Sequence, residues 1–247
     1  MGFKNNNAEY SNRMIHNGLV AQRLKHMVDY FDFSKIKTIL DIGSWHLDQS
    51  FEFMHIFPNA TVYAFEPNPA SARMCRERIE GLSSDHRSRI YMNELALTNK
   101  IGEIQFYPLD ATKTASTNHG MSSTLKLKEG MNGSWHNQLW IQKEITVKAD
   151  TLDSWCAANK IVPDLLWVDV QGAEYSLYEG GKNTIKNHVA AILTEVGIVP
   201  YYEGHTTKPQ IDYLLKDELG FIELEESFEM ADPYEANTIY INTRKTL

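Results

Sequence analysis

Along this chain, short apolar runs alternate with segments of helical spacing. Thr38–Ile42, Thr61–Phe65 and Leu165–Val168 are nearly continuous apolar runs, as expected of strands buried on both faces, and residues 190–194 repeat the pattern. Residues 89–92, 104–107 and 145–149 read as further strands. Residues 11–32 place Leu19, Leu24, Met27, Val28 and Phe31 on one face, which predicts a leading helix that covers the sheet or walls a substrate site. A second helix follows Ile42 and is closed by Pro58-Asn59. In a third, Asn68 caps, Pro69 suits the first helical position, and Ala72, Cys75 and Ile79 recur at helical spacing before Gly81. Thr207 and Gln210 form a capping box before Ile211, Leu214, Leu215 and Leu219.

Buried-type strands joined through helices predict parallel crossovers and a doubly wound α/β fold. Residues 221–225 and 238–241 read as strands with no helical pattern between them, so they are expected to join the sheet edge as an antiparallel pair. Residues 108–143 are rich in Thr, Ser, Asn, Gly and Lys. A loop of that length in a compact domain is expected to be a lid, a binding loop or disorder.

The composition narrows the function classes. A chain of 247 residues suits one α/β domain with additions. Its 24 Lys+Arg against 32 Asp+Glu give a net charge of −8, which argues against a phosphate-gripping face and so against a nucleic-acid partner. Cys75 and Cys156 are the only cysteines and no Cys/His pair has ligand spacing, so neither a disulfide framework nor a structural zinc site is indicated. The first residues lack a signal-peptide core, and no run approaches the ~18 apolar residues of a membrane span. The expectation is a soluble, cytoplasmic protein with no membrane partner, and a homo-oligomer stays open.

The chemistry lies at the strand ends. Asp41, Glu66, Asp169 and Glu195 each stand at the carboxyl end of a strand, where open α/β sheets bind ligands. Acids there also serve as ordinary helix caps, but four at matching positions converge on one cleft. Glu66, at the end of the second strand, suits a bidentate grip on ribose hydroxyls. The G-x-G-x-x-G turn is absent, which counts against NAD or FAD. S-adenosyl-L-methionine carries no phosphate and asks less of that turn.

LDIGSW, VYAFEPNP, NELALTNKIGEIQFY, VKADTLDSW, LLWVDVQGAEYSLYEGG and ILTEVG occur in that order, and this series resembles the FkbM family of S-adenosyl-L-methionine-dependent methyltransferases. The resemblance spans residues 38–197. It implies a Rossmann-like class I methyltransferase fold, a doubly wound and mostly parallel seven-stranded sheet with an antiparallel C-terminal strand. That domain would cover residues 36–247, after an N-terminal helical extension over 1–35 and with a loop insertion at 108–143. The implied activity is O-methylation of a small-molecule acceptor such as a saccharide. For the cofactor it implies Asp41, Gly43 and Ser44 against the methionine half, Glu66 at the ribose, and Pro67 and Asn68 beside the adenine. Asn93, Glu94, Leu95 and Ala96 would close over it, and Asp169 would face the methyl group. The departures are Leu47 for a second glycine and Gln171 for a glutamate.

Methyl transfer to a hydroxyl is an in-line displacement that needs positioning and, because an alcohol is a weak nucleophile, a base. Asp169 is the leading base, with electrostatic attraction to the sulfonium as its other role. His119 and His205 are the alternative catalytic residues, since an imidazole titrates near neutral pH. Tyr201 and Tyr202 either stack on an acceptor or pack under a loop. Glu174, in the first turn of its helix, is favoured there by the helix dipole alone. Asp169 and Glu195 lack a third ligand, so no metal is assigned. At the first turn, Leu47 is acceptable if the turn keeps φ negative and enters its helix early, and Asp48 must point away from the cofactor or be offset by His46. The alternatives are a non-catalytic Rossmann-like binding protein with an altered cofactor turn, and a methyltransferase acting on a macromolecule.

Overall fold

A computed structural model of the chain describes residues 7–15, 18–110, 112–113, 119–129 and 140–245. Two short helices, α1 (Ala8–Arg13) and α2 (Leu19–Leu24), lead in, followed by a 3-10 turn at Lys25–Met27. The single leading helix expected over residues 11–32 is thus broken. Gly18 begins α2, and the Glu52 carboxylate caps it by accepting from the amides of Val20 (3.0 Å) and Ala21 (2.8 Å). A β-carbon on Gly18 would fall 2.1 Å from that carboxylate, so a side chain there would displace the cap.

Next come β1 (Thr38–Ile42), α3 (Asp48–Ile56), β2 (Thr61–Phe65), α4 (Pro69–Glu80), α5 (Ser84–Arg87) and β3 (Ile90–Asn93). Helix α4 opens as its sequence predicts: the Asn68 side chain accepts from the Ala70 amide at 3.1 Å, with Pro69 in the first turn. A small separate sheet, ordered β4-β6-β5, is built from β4 (Ala96–Leu97), β5 (Gly102–Phe106) and β6 (Ile145–Asp150). The chain then runs through α6 (Leu152–Asn159), β7 (Leu165–Val168), α7 (Glu174–Gly180), α8 (Lys182–Asn187), β8 (Ala191–Gly197) and α9 (Lys208–Asp212), which continues as a π-helical turn to Glu218. It finishes with β9 (Ile222–Glu223), β10 (Glu229–Met230) and β11 (Glu235–Ile241).

The main sheet is ordered β3-β2-β1-β7-β8-β11, parallel from β3 to β8, with β11 antiparallel to β8. Strands β9 and β10 both pair with β11 and together make one broken edge strand, giving the seven positions of a Rossmann-like class I methyltransferase sheet. Alternate residues of the strands enter two cores. Ile39, Trp167, Leu193 and Ile239 face a cluster with Val20, Leu24 and Phe53, so the amino-terminal helices complete that layer. Leu40, Leu166, Ile192 and Tyr240 face the other cluster, with Tyr178 and Leu214. Among the described residues no helix is long and apolar enough to cross a membrane.

Candidate active site

Strand order reverses between β1 and β7, and the site lies at the carboxyl ends of those strands, where such sheets bind ligands. Ile42 and Val168 are register partners, which brings the next residues, Gly43 and Asp169, together. The Asp169 amide donates to the Ile42 carbonyl at 2.9 Å. A β-carbon on Gly43 would lie 1.8 Å from the Asp169 carbonyl oxygen, and Gly43 has φ +89°. Both facts demand glycine. On the other side, the amides of Gly43 and Ser44 each reach the Phe65 carbonyl at 3.0 Å. The turn is therefore tied between β2 and β7.

The rest of the turn departs from its expected form. Leu47 has φ +74° and Trp45 φ +45°, so the negative φ that would make a leucine acceptable here is not kept. Left-handed backbone costs an ordinary residue roughly 1–2 kcal/mol. The offset is packing: Leu47 is fully buried in the core that holds Phe53 and Val62, and burying such a side chain contributes about 1.5–3 kcal/mol. Asp48 points outward, 2.8 Å from Arg78 Nη1 and 3.3 Å from His46 Nδ1.

Glu66 is held by this turn and by the start of α4. Its Oε2 accepts from the Trp45 amide at 3.0 Å and its Oε1 from the Asn68 amide at 2.8 Å. Each oxygen keeps a second lone pair for a ligand. Burial pushes the carboxyl up to about 8, against the pull of both amides. In front of Glu66 a cavity opens, walled by Gly43, Trp45, Pro67, Leu95, Ala96 and Asp169. Gly120, Ser122 and Thr124 of the long loop also line it.

Other expected cofactor residues stand behind this wall. Asn68 Nδ2 lies 3.5 Å from Ser122 Oγ, and the Asn93 carbonyl accepts from the Glu66 amide at 3.1 Å. Glu94, expected to close over the cofactor, turns its side chain to the surface and ion-pairs with Arg76. Ser44 is buried and bonds Phe65. Asp41 lies fully buried under the turn, where the Ser50 hydroxyl donates to Oδ2. Asp41 Oδ1 has no partner among the described residues, and burial pushes this carboxyl up to about 7.

A second cavity, of about 360 Å³, lies between α2 and the ends of β7, β8 and β11. Asp169 lines both cavities. Its Oδ1 accepts from Gln171 Nε2 at 2.7 Å, and that nitrogen is 3.2 Å from Glu195 Oε2. Thus an amide nitrogen bridges the two carboxylates. Burial raises both carboxyls above their ordinary range, and the Asp169 charge raises Glu195 further. Gln171 has φ +53°, with its carbonyl accepting from the Ser123 hydroxyl at 2.7 Å and its Oε1 lying 3.3 Å from the Tyr202 hydroxyl.

Of the two expected histidines, His205 does not meet Asp169 on a cavity wall. His205 is buried, edge-on to Tyr201 at 4.9 Å, and lines neither cavity. β-Carbons on Gly172 and Gly197 would lie 3.0 and 2.3 Å from its ring. Burial, aided by Lys128, lowers its pKa to about 4, so the imidazole stays neutral. The structure sets His205 away from the cavity walls that Asp169 shares. His119 begins the 3-10 turn His119–Met121, and its side chain lies outside the described residues. Tyr201 and Tyr202 are buried and pack on each other at 4.6 Å, the packing alternative. Glu174 turns back to accept from the Gly172 amide at 3.1 Å. Trp45 walls the cavity, the role that the sequence left open against ordinary core because a tryptophan in a glycine turn carries no pattern that separates the two.

The sequence profile of the methyltransferase FkbM domain matches residues 39–223, three quarters of the chain. This chain belongs to the FkbM methyltransferase family. The resemblance read from its motifs is thereby shown. The chain is 31% identical over 169 residues to the 2-O-methyltransferase NoeI of Sinorhizobium fredii, an alignment covering 67% of this chain and 65% of that relative. It therefore spans just under two thirds of the length of this relative. A solved structure of a methyltransferase FkbM from Methylobacillus flagellatus shares the fold, with a TM-score of 0.54 at 11% identity, over 96% of this chain and 59% of that one.

Proposed function

We infer that this methyltransferase transfers the methyl group to a hydroxyl oxygen of a small molecule, with Asp169 as the base. The observation that carries the reading is that one carboxylate, Asp169, belongs to both cavities. The likeness to a 2-O-methyltransferase supports oxygen as the acceptor atom.

The first cavity suits the cofactor. Glu66 offers a lone pair on each oxygen to the ribose hydroxyls, and Asp41 Oδ1 is a buried acceptor without a donor, suited to an ammonium group. Trp45 Nε1 is likewise a buried donor without a partner among the described residues. Glu66 and Asp169 line this cavity, and a cationic ligand there would offset the burial that raises both carboxyls. When bound, S-adenosyl-L-methionine supplies an electrophilic methyl group on a positively charged sulfur.

The chain's own residues then position and deprotonate. The acceptor hydroxyl, held in the second cavity, is aligned with the methyl carbon across Asp169, and such positioning is worth up to roughly 7–11 kcal/mol of barrier. As the new O–C bond forms, the C–S bond breaks with its electron pair left on sulfur, and Asp169 takes the hydroxyl proton. Proton removal by a positioned base adds about 10²–10⁴-fold. Burial raises the Asp169 carboxyl above its ordinary range, which makes its carboxylate a stronger base. Gln171 holds the carboxylate through its amide. The two free, buried thiols, Cys75 and Cys156, suit a reducing cytoplasm.

The test is methyl transfer from isotopically labelled cofactor into a panel of methyl glycosides. Asp169→Asn should bind S-adenosylhomocysteine within a few-fold of the parent and lose at least about 100-fold in turnover. Transfer at the parent rate by that variant would remove Asp169 as the base.

A further inference from the structure

The long loop reaches the base from behind. Ser123 is only 1% exposed, and its hydroxyl donates to the Gln171 carbonyl at 2.7 Å, across 48 residues of sequence. The same oxygen accepts from the Leu125 amide at 3.1 Å, so its one proton is left for Gln171. The amide and carbonyl of Ser123 pair with those of Tyr107, just beyond β5, at 3.4 and 2.7 Å. The hydroxyl is therefore presented by a segment tied to the small sheet.

Gln171 needs such a tie. At φ +53° it holds the left-handed backbone that ordinary side chains rarely adopt, and Gly172 follows at +88°. From that backbone its side chain reaches back to Asp169. Both amide hydrogens are used there, with Nε2 2.7 Å from Asp169 Oδ1 and 3.2 Å from Glu195 Oε2. Oε1 faces the Tyr202 hydroxyl at 3.3 Å, and that hydroxyl also donates to the Met121 carbonyl of the loop at 3.0 Å. Turning the amide over would set its oxygen against two carboxylates, so the side chain has one good orientation on this backbone. Ser122 and Thr124 line the cofactor cavity while Ser123 between them points to Gln171, the alternation of an extended chain.

We propose that Ser123 is a positioning residue for methyl transfer: its hydroxyl fixes the left-handed Gln171, whose amide holds the Asp169 carboxylate in place for the acceptor hydroxyl. The proposal rests on the reading of Asp169 as the base. It gives the long loop a part in the chemistry that is separate from walling the cofactor cavity.

The test is NMR on the full chain saturated with S-adenosylhomocysteine, with ¹⁵N in the glutamine side chains and ¹³C in the aspartate carboxyls. Gln171→Glu and Asp169→Asn assign the two signals. In the parent, the Gln171 side-chain amide should exchange with water at least about 10-fold more slowly than that of an exposed glutamine. Ser123→Ala should remove this protection and raise the pH at which Asp169 titrates, because a bonded amide donor favours the carboxylate. Asp41, Glu66, Glu174, Glu195, Glu235 and Tyr202 also interact with the Asp169 charge, and Ser123→Ala alters none of those side chains. Ser123→Thr, which keeps the hydroxyl, should hold both signals near the parent's. With the methyl glycosides as acceptors, kcat should fall about 10- to 100-fold in Ser123→Ala, while KM and S-adenosylhomocysteine affinity stay within about 3-fold. If Ser123→Ala does not fold, Ser123→Cys, whose thiol is a weaker donor, takes its place with the same directions expected. The proposal is overturned if both signals ignore the loss of the hydroxyl, if Ser123→Thr moves them as far as Ser123→Ala does, or if they move while kcat does not. Transfer at the parent rate by Asp169→Asn, with both Ser123→Ala signals moving as expected, would instead remove the base reading and leave only the contact.

Discussion

Replacing Leu47 separates backbone strain from packing in the cofactor turn. Leu47 is fully buried and has φ +74° just before α3. Leu47→Ala keeps the left-handed backbone and removes the packing, a loss of about 2–5 kcal/mol for a buried leucine. Leu47→Gly removes slightly more packing but abolishes the conformational strain. At positive φ, exchanging glycine for alanine destabilises by about 1 kcal/mol or more, even after the unfolded chain is counted. The glycine variant should therefore be the more stable of the two by about 1 kcal/mol, although both fall below the parent. With a urea slope of about 2–3 kcal/mol/M, that is a midpoint difference of roughly 0.3–0.5 M. Urea denaturation followed by tryptophan fluorescence reads it. An alanine variant as stable as the glycine variant would refute strain at this position. So would a parent less stable than Leu47→Gly refute the claim that packing outweighs it.

Two further outcomes follow from the carboxyls of the site. Glu66→Gln should weaken S-adenosylhomocysteine binding by at least about 10-fold in calorimetry, because an amide NH₂ must face either the Trp45 or the Asn68 amide, donor against donor; parent affinity would contradict the ribose assignment. Burial raises Asp41 and Glu174 to about 7 and Glu66 and Glu235 to about 8. Between the unfolded values near 4 and these folded values the native state binds more protons, so stability should fall as pH rises from about 5 to 8, by up to about 1.4 kcal/mol per pH unit for each group. Thermal melts across that range check the sign, and a rising melting temperature would oppose it.

The fold was legible because its evidence is local. Apolar runs ending in acids gave β1, β2, β7 and β8, and Asn68-Pro69 opened α4 as written. The site was legible where a residue follows directly from a strand end, as Gly43, Glu66 and Asp169 do. It was not legible where partners come from afar. The break before α2 is set by Glu52, 32 residues from the amide of Val20 that it caps. Glu94 follows β3 among the expected contacts yet is drawn outward by Arg76 on α4. His205 looks like a free loop histidine until Gly172 and Gly197 leave the space that its ring fills. Arg23 reads as the polar side of an amphipathic helix, and only the cavity behind α2 makes it a wall. Leu95 and Ala96 line the cavity where the chain enters β4.

In the proposed reaction Asp169 stands between cofactor and acceptor. A crystal structure with S-adenosylhomocysteine and a bound methyl glycoside tests it most directly. The ribose hydroxyls should lie within hydrogen-bond distance of Glu66, with the sulfur directed past Asp169 toward a sugar hydroxyl in the cavity beside Arg23. A sulfur directed away from Asp169, or a sugar bound outside that cavity, would contradict it.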